Sequence, residues 1–455
     1  MKGFFGAVSK INILKDVYYG VDYHSHLGTS LGNLLFCKND GLSIVSHKIS
    51  YTTYRNKFVD LLNQDSYCAL GNICDGLENI VIEEDKNGQF ALLTLGLIEN
   101  AKELSEKFLN GKTYSNDQLI AKLVKLKENL LAGLVFVRDC IKGSLAIWAL
   151  HSSGVLYAVR DNVGRFPIFM GRRQDSYCIS LEQFVCEKLG FEVTPLNAGE
   201  IAEITASGCK VIPHTTLCKR KCAFMWVYYG HPASTYEEIS VEQSRYNGGI
   251  KLAEFDKDLD ADCVCGIPDS GTAYAIGYAN KCNLPIVRPF IKYNATWGRS
   301  FIPIRQQERA EIASMKQILI PSLVKDKSIV VIDDSVVRGT QLKAIIDLLR
   351  NSGARQIHLR IACPPIFFSC KYLQNPAIEE NNDLLSPRIL AALFTNKDNY
   401  DDKWRNYENN LEKFEQEFCK MFGVDSVHFQ SLENMIGAIG INQNDTCTYC
   451  WTGND

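Results

Sequence analysis

The sequence predicts a mixed α/β protein in two parts, an α/β sandwich built from short strands followed by a parallel sheet with flanking helices. Three observations predict it. At 455 residues the chain exceeds what a single hydrophobic core usually serves. Residues 1 to about 215 alternate short strand patterns with Gly-containing turns. From about Cys222 to Leu393, buried apolar runs are each followed by a helical pattern, and that repetition implies parallel strands with ligands at their carboxyl ends.

In the first part, one long amphipathic helix is expected around Asn116 to Leu131. In the second, strands are expected at Asp262 to Ile267 and Ser328 to Ile332, with helices at Thr272 to Asn280 and Thr340 to Asn351. Asn396 to Asn410 is rich in Asn and Asp and reads as a surface excursion or linker. Amphipathic helix then returns, and the last residues carry Cys447-Thr448-Tyr449-Cys450.

A net charge of -3, with 22% charged residues, gives no global pull toward nucleic acid or anionic membrane, so partners must be read from sites. No apolar run reaches the roughly 18 residues of a membrane span, and Met1 to Gly6 lacks a signal-peptide stretch, so the cytoplasm is the default location. The 17 cysteines then read as buried thiols or metal ligands.

The apolar run Ile329-Val330-Val331-Ile332 leads directly into Asp333-Asp334-Ser335-Val336-Val337-Arg338-Gly339-Thr340. Two adjacent carboxylates at a strand end suit ribose hydroxyls and magnesium, which takes hard oxygen ligands. The loop Ser335 to Thr340 sets backbone N–H groups and hydroxyls at a helix start, where a phosphate is favoured. The plainer alternative is that the aspartates only cap the helix. Upstream, Cys265 to Thr272 repeats the design with Pro268, Asp269 and Ser270, and would face a pyrophosphate and the metal. Between the two lies a basic, aromatic loop from Ile291 to Ile302, with Lys292 and Arg299, suited to closing over a reactive sugar cation.

The order of these segments resembles the glutamine phosphoribosyl pyrophosphate amidotransferases, which open de novo purine synthesis. The strings that carry the resemblance are Gly266 to Ser270, Gly298 to Ile302, Val331 to Thr340, Cys363 to Ile366 and Ser431 to Glu433. More faintly, Gly3 to Gly6, Val17 to Gly20, Arg160 to Gly164, Ser180 to Glu182 and Ala198 to Ile201 resemble the family's glutaminase domain. The resemblance implies an N-terminal Ntn-hydrolase-like αββα sandwich at 1–215, a type I phosphoribosyltransferase domain at 216–396, and a C-terminal helical segment with CxxC at 397–455. It further implies magnesium on Ser270, Asp333 and Asp334, with substrate on Pro268, Asp269, Lys292 and the Ser335, Val336, Val337, Arg338, Gly339, Thr340 loop. The catalytic roles fall to Asp333, Asp334 and Arg299.

The sandwich departs from the family where its chemistry lies. The family nucleophile is a cysteine after the initiator Met, and Lys2 stands there. A lysine with a pKa near 10.4 is cationic at neutral pH and forms no thioester. Cys74 takes the place of the arginine that clamps the glutamine carboxylate. Leu95-Gly96-Leu97 replaces the Asn-Gly-Asn that supplies oxyanion donors, leaving Asn116 or Asp117 for any contact to a substrate amino group. A silent glutaminase is expected; Cys68 or Cys74 acting as an unexpected nucleophile is the alternative.

By the same resemblance, Cys447 and Cys450 with Cys222 and Cys370 occupy all four positions of the [4Fe–4S] ligands in cluster-bearing members. Tetrahedral zinc on the same thiolates is the rival. Relatives with a cluster usually carry a propeptide, and this sequence opens on the first strand of the scaffold.

The expected activity is formation of 5-phosphoribosylamine from phosphoribosyl pyrophosphate and ammonia, the ammonia coming from solution or a separate glutaminase. Purine nucleotides are expected inhibitors and a homo-oligomer the expected assembly. A non-catalytic phosphoribosyl pyrophosphate or nucleotide sensor is the first alternative, although no basic helix-turn-helix extension is evident. A base-salvage phosphoribosyltransferase is the second.

Overall fold

The computed structural model describes residues 2–38, 41–50, 52–75, 80–215, 218–292, 317–373, 384–393 and 402–454. The chain divides into two compact units. One takes Met1–Cys222, Thr235–Glu237 and Lys371–Asn375; the other takes Ala223–Ser234, Glu238–Cys370 and Pro376–Asp455.

The first unit holds two antiparallel sheets. One runs in the order Glu192–Pro195, Phe169–Arg173, Ser176–Ser180, Lys2–Ser9, Cys68–Cys74, Leu31–Lys38, Gly41–Lys48. The other runs Gly208–Ile212, Ile201–Thr205, Val155–Arg160, Gly143–His151, Gly88–Ile98, Val81–Asp85. Strand Lys2–Ser9 is buried from Gly3 onward because its two faces meet different layers. Phe5 points to the helix Leu14–Asp22, packing with Val17 and Val21. Phe4 points the other way and stacks on Trp148 of the second sheet, ring centroids 4.0 Å apart. Both rings are fully buried, and truncating either to alanine would cost about 3–5 kcal/mol. On the far face of the second sheet, Leu119, Leu123, Leu134 and Val137 from two helices pack on Leu92 and Ile147. The layers are therefore helix, sheet, sheet, helix, as the αββα expectation requires.

One element differs from its sequence pattern. The helix expected from Asn116 to Leu131 is two helices, Asn116–Val124 and Leu130–Cys140. Asn129 breaks it, because its side chain accepts the Ala132 N–H and caps the second helix, a role Asn fills better than a helix-interior one.

The second unit is built on a parallel sheet ordered Cys263–Gly266, Ser328–Asp333, Gln356–Ile361, Ser426–Phe429. Helices Val241–Ala253 and Thr272–Cys282 cover one face through Leu252, Tyr274 and Tyr278 against Val264, Val330 and Ile332. Helix Thr340–Asn351 buries Leu342, Ile345, Ile346 and Leu349, a stripe of helical period. The carboxyl-terminal segment, expected to be helical, also supplies the fourth strand, Ser426–Phe429. Within the stretch expected to be a linker, Lys403–Glu408 is a helix started by the Asp402 side chain. No helix among the described residues is long and apolar enough to cross a membrane.

Candidate functional site

Three strand ends converge where the sequence places its acid pair. Ile267 N–H donates to the Ile332 carbonyl at 2.8 Å, and Ala362 N–H donates to that of Asp333 at 2.9 Å. The central strand is buried along its whole length, so Asp333 and Asp334 leave it at the rim of the core, 9% and 3% exposed. The Asp334 N–H donates to Asp333 Oδ1 at 3.0 Å, and the Ser335 hydroxyl donates to Asp334 Oδ2 at 2.5 Å. From the neighbouring strand end, the Ser270 hydroxyl also binds the Asp334 carboxylate. Thus the three residues expected to hold magnesium come together.

The electrostatics of this pair are unfavourable without a cation. Burial pushes the Asp333 carboxyl well above the ordinary carboxylate range, and the adjacent charge of Asp334 pushes it further. Burial also raises Asp334, against the hydrogen bonds of Ser270 and Ser335 and the field of Arg245. Arg245 is buried and donates to the carbonyls of Trp226, Tyr228 and Gly230. Sequence reasoning missed it: nothing in Val241–Ala253 marks one arginine as facing the end of a strand some 90 residues on.

The loop expected to take a phosphate is a backbone construction. Gly339 has φ +80°, which carries the chain from the strand into helix Thr340–Asn351, whose first N–H groups have no partner within the helix. Val336 and Arg338 are buried. The Val337 carbonyl accepts Leu385 N–H and the Arg338 carbonyl accepts Arg388, so the loop is anchored from behind. In the upstream loop the Pro268–Asp269 peptide is cis. A Cβ on Gly271 would lie 2.4 Å from the Ile332 carbonyl oxygen, so glycine is what lets this loop reach the acid strand. Lys292 pairs with Asp269 at 2.5 Å, both largely exposed. Arg299 lies outside the described residues.

In the sandwich unit, Lys2 sits on its strand directly opposite Cys74. Its ammonium donates to the Thr94 carbonyl of the facing sheet at 3.0 Å. The Thr94 hydroxyl donates to Asp117, and Asn116 donates to the Gly96 carbonyl at 3.1 Å. Leu95, Gly96 and Leu97 lie inside the strand Gly88–Ile98. Where the resemblance calls for a thiol, a clamp and oxyanion donors, the described residues therefore present an amine, a buried cysteine and an apolar strand. Arg160 and Asp161, which the sequence singles out, are scaffold: Arg160 binds the carbonyls of Gly164, Phe166 and Leu196, and Asp161 binds the Val163 and Gly164 N–H groups.

Among the described residues, no group of three or more His, Cys, Asp or Glu side chains is placed to hold a metal, and no disulfide joins any cysteine. The Cys450 carbonyl accepts the N–H groups of Phe367 and Phe368, just before Cys370, and the Cys447 carbonyl accepts that of Ala223, just after Cys222. Beside Cys450, Trp451 is buried, its indole against the Cys363 thiol near the acid pair.

No protein-family model matches the chain. An amidophosphoribosyltransferase of Methanocaldococcus jannaschii is 29% identical, over 100% of this chain and 97% of its own. That of Methanothermobacter thermautotrophicus is 31% identical over 81% and 74%, and that of Bacillus subtilis 27% over 99% and 93%. Among solved structures, the glutamine phosphoribosylpyrophosphate amidotransferase of Bacillus subtilis complexed with ADP and GMP superposes with a TM-score of 0.82. It is 24% identical, covers 99% of this chain and 96% of its own, and has the same fold.

Proposed function

We infer the reaction from one premise: the chain belongs to the amidophosphoribosyltransferase family, a family of pentosyl-transferring enzymes. Its second unit binds phosphoribosyl pyrophosphate with magnesium and exchanges pyrophosphate for ammonia at the anomeric carbon, giving 5-phosphoribosylamine for purine synthesis. The observation that carries this reading is the buried Asp333–Asp334 pair beside Ser270, at the mouth of an anchored phosphate loop.

Two adjacent buried carboxylates and a hydroxyl fit a hard divalent cation, which would draw charge from the departing pyrophosphate. Asp333 and Asp334 accept the ribose hydroxyls and fix the ring. The Ser335 to Thr340 loop takes the 5-phosphate on backbone N–H groups, with the helix dipole behind them. Pro268, Asp269 and Lys292 face the pyrophosphate, and the role of Arg299 is toward that same leaving group. Ammonia comes from solution or from a separate glutaminase, because Lys2 fills the nucleophile position and the sandwich is silent. Purine nucleotides, of which ADP and GMP are bound by the Bacillus subtilis relative, are the inhibitors.

For Cys222, Cys370, Cys447 and Cys450 we propose a [4Fe–4S] cluster. The backbone ties from Cys447 and Cys450 to residues next to Cys222 and Cys370 support it. Anaerobically purified protein should carry iron and sulfide; stoichiometric zinc without iron would replace the cluster by a zinc site.

The reaction is tested by product analysis with phosphoribosyl pyrophosphate, magnesium and either ammonium, a purine base or no acceptor. Phosphoribosylamine with ammonium alone is expected. A nucleotide formed with a base would mean salvage, and binding without turnover would mean a sensor.

A further inference from the structure

The sandwich unit carries a second set of reactive groups, remote in sequence from Lys2 and independent of the transferase reading. At the hairpin between strands Gly143–His151 and Val155–Arg160, His151 is 4% exposed and Ser153 stands in solvent at the turn. Ser153 Oγ is 2.6 Å from His151 Nδ1, and the Ser153 backbone N–H donates to the same nitrogen at 3.0 Å. A backbone N–H can only donate, so Nδ1 is the unprotonated nitrogen. The ring proton is then on Nε2, which faces Asp85 Oδ1 at 3.3 Å. The Ser153 hydroxyl must therefore give its own hydrogen to Nδ1.

Asp85 is built to stay ionised. Burial opposes its charge, but the N–H groups of Asn87 and Leu130, with His151, outweigh burial and hold the carboxyl below its ordinary value. The geometry is that of a hydroxyl on a base whose tautomer is fixed by a carboxylate. Around the neighbouring Gly154, a Cβ would meet nothing within 4 Å, so the turn is open to a reagent.

We propose that Ser153, His151 and Asp85 form an acyl-accepting serine site whose substrate is an activated acyl group, a thioester or aryl ester. Ser153 Oγ forms a bond to the acyl carbon as its proton passes to His151 Nδ1. The carbon–sulfur or carbon–oxygen bond to the leaving group breaks, and the leaving thiolate or phenolate takes that proton, giving acyl-Ser153 and a free thiol or phenol. A positioned base contributes about 10²- to 10⁴-fold to such a step.

The molecule contains its own control. Ser207 is also exposed, at the Ala206–Gly208 turn, and its backbone N–H bonds Thr205 instead of a histidine. Full-length protein would be treated with p-nitrophenyl acetate and, separately, an alkyl fluorophosphonate, and modification at each serine followed by mass spectrometry. Ser153 should react at least about tenfold faster than Ser207, with an advantage that falls at least about tenfold in His151→Gln and in Asp85→Asn. The ratio in the unaltered protein needs no variant to fold. Equal rates at the two serines, or an advantage unchanged by both substitutions in folded protein, would overturn the proposal.

Discussion

The acid pair of the second unit and the Lys2 position of the first are both charged groups at the edge of a core, and they are settled in opposite ways. Asp333 and Asp334 are buried together; burial raises both carboxyls above the ordinary range, and the charge of Asp334 pushes Asp333 further. Lys2 is only partly buried, and its ammonium is taken by the Thr94 carbonyl. Two carboxylates buried side by side keep unfavourable electrostatics that a bound cation would relieve. The Lys2 ammonium, by contrast, is satisfied within its own fold.

The widest gap should come from breaking the acid pair. Asp334→Asn is expected to weaken magnesium-dependent phosphoribosyl pyrophosphate binding by ~100-fold or more, since stranding one partner of a buried charged set costs about 3 kcal/mol. The same variant should be more stable without ligand, by ~1 kcal/mol, because one of two repelling buried carboxylates is gone. The sign follows from the raised carboxyls: their contribution to stability is present below the ordinary carboxylate range and is lost as pH rises through the folded-state values. Calorimetric binding and urea unfolding would check both directions, and a variant less stable than the parent would break the contrast.

Gly271→Ala is next. Its Cβ would meet the Ile332 carbonyl at 2.4 Å, so stability should fall by ~2 kcal/mol with loss of binding, read by the same two methods. Lys2→Met removes the bond to Thr94 and should cost ~1 kcal/mol while leaving phosphoribosyl pyrophosphate binding unchanged. If binding falls with it, Lys2 is not confined to the sandwich. The smallest effect is Lys292→Ala: its exposed pair with Asp269 is worth under ~0.5 kcal/mol of stability, whereas pyrophosphate-side affinity should fall several-fold in a titration.

Both units were legible in the sequence to the extent that their signals are local. Ile329 to Thr340 announces strand, acid pair and anion loop in consecutive residues, and Ser328–Asp333 and Thr340–Asn351 form where the pattern places them. The αββα layering was implied only by the family resemblance of strings such as Gly3 to Gly6, and only structure tells which of Phe4 and Phe5 faces the helix and which stacks on Trp148. What stayed hidden depends on distant residues. Arg245 acts on Asp334 across the fold, and Arg360 finds Asp256 at 104 residues' separation. The strand Ser426–Phe429 is four residues long amid helical sequence, too short for its period to show. Asn129 broke an expected helix through a cap that a periodicity argument overlooks. The serine, histidine and aspartate at the hairpin gave no motif because Asp85 is 66 residues from His151.

The contrast between the units is tested most directly by measuring two products in parallel, pyrophosphate released with ammonium and glutamate released from glutamine, each with phosphoribosyl pyrophosphate and magnesium present. Pyrophosphate with ammonium and no glutamate from glutamine is the predicted result. Glutamate formed at a rate matching pyrophosphate release would mean that the Lys2 position does not silence the sandwich, and would contradict the account.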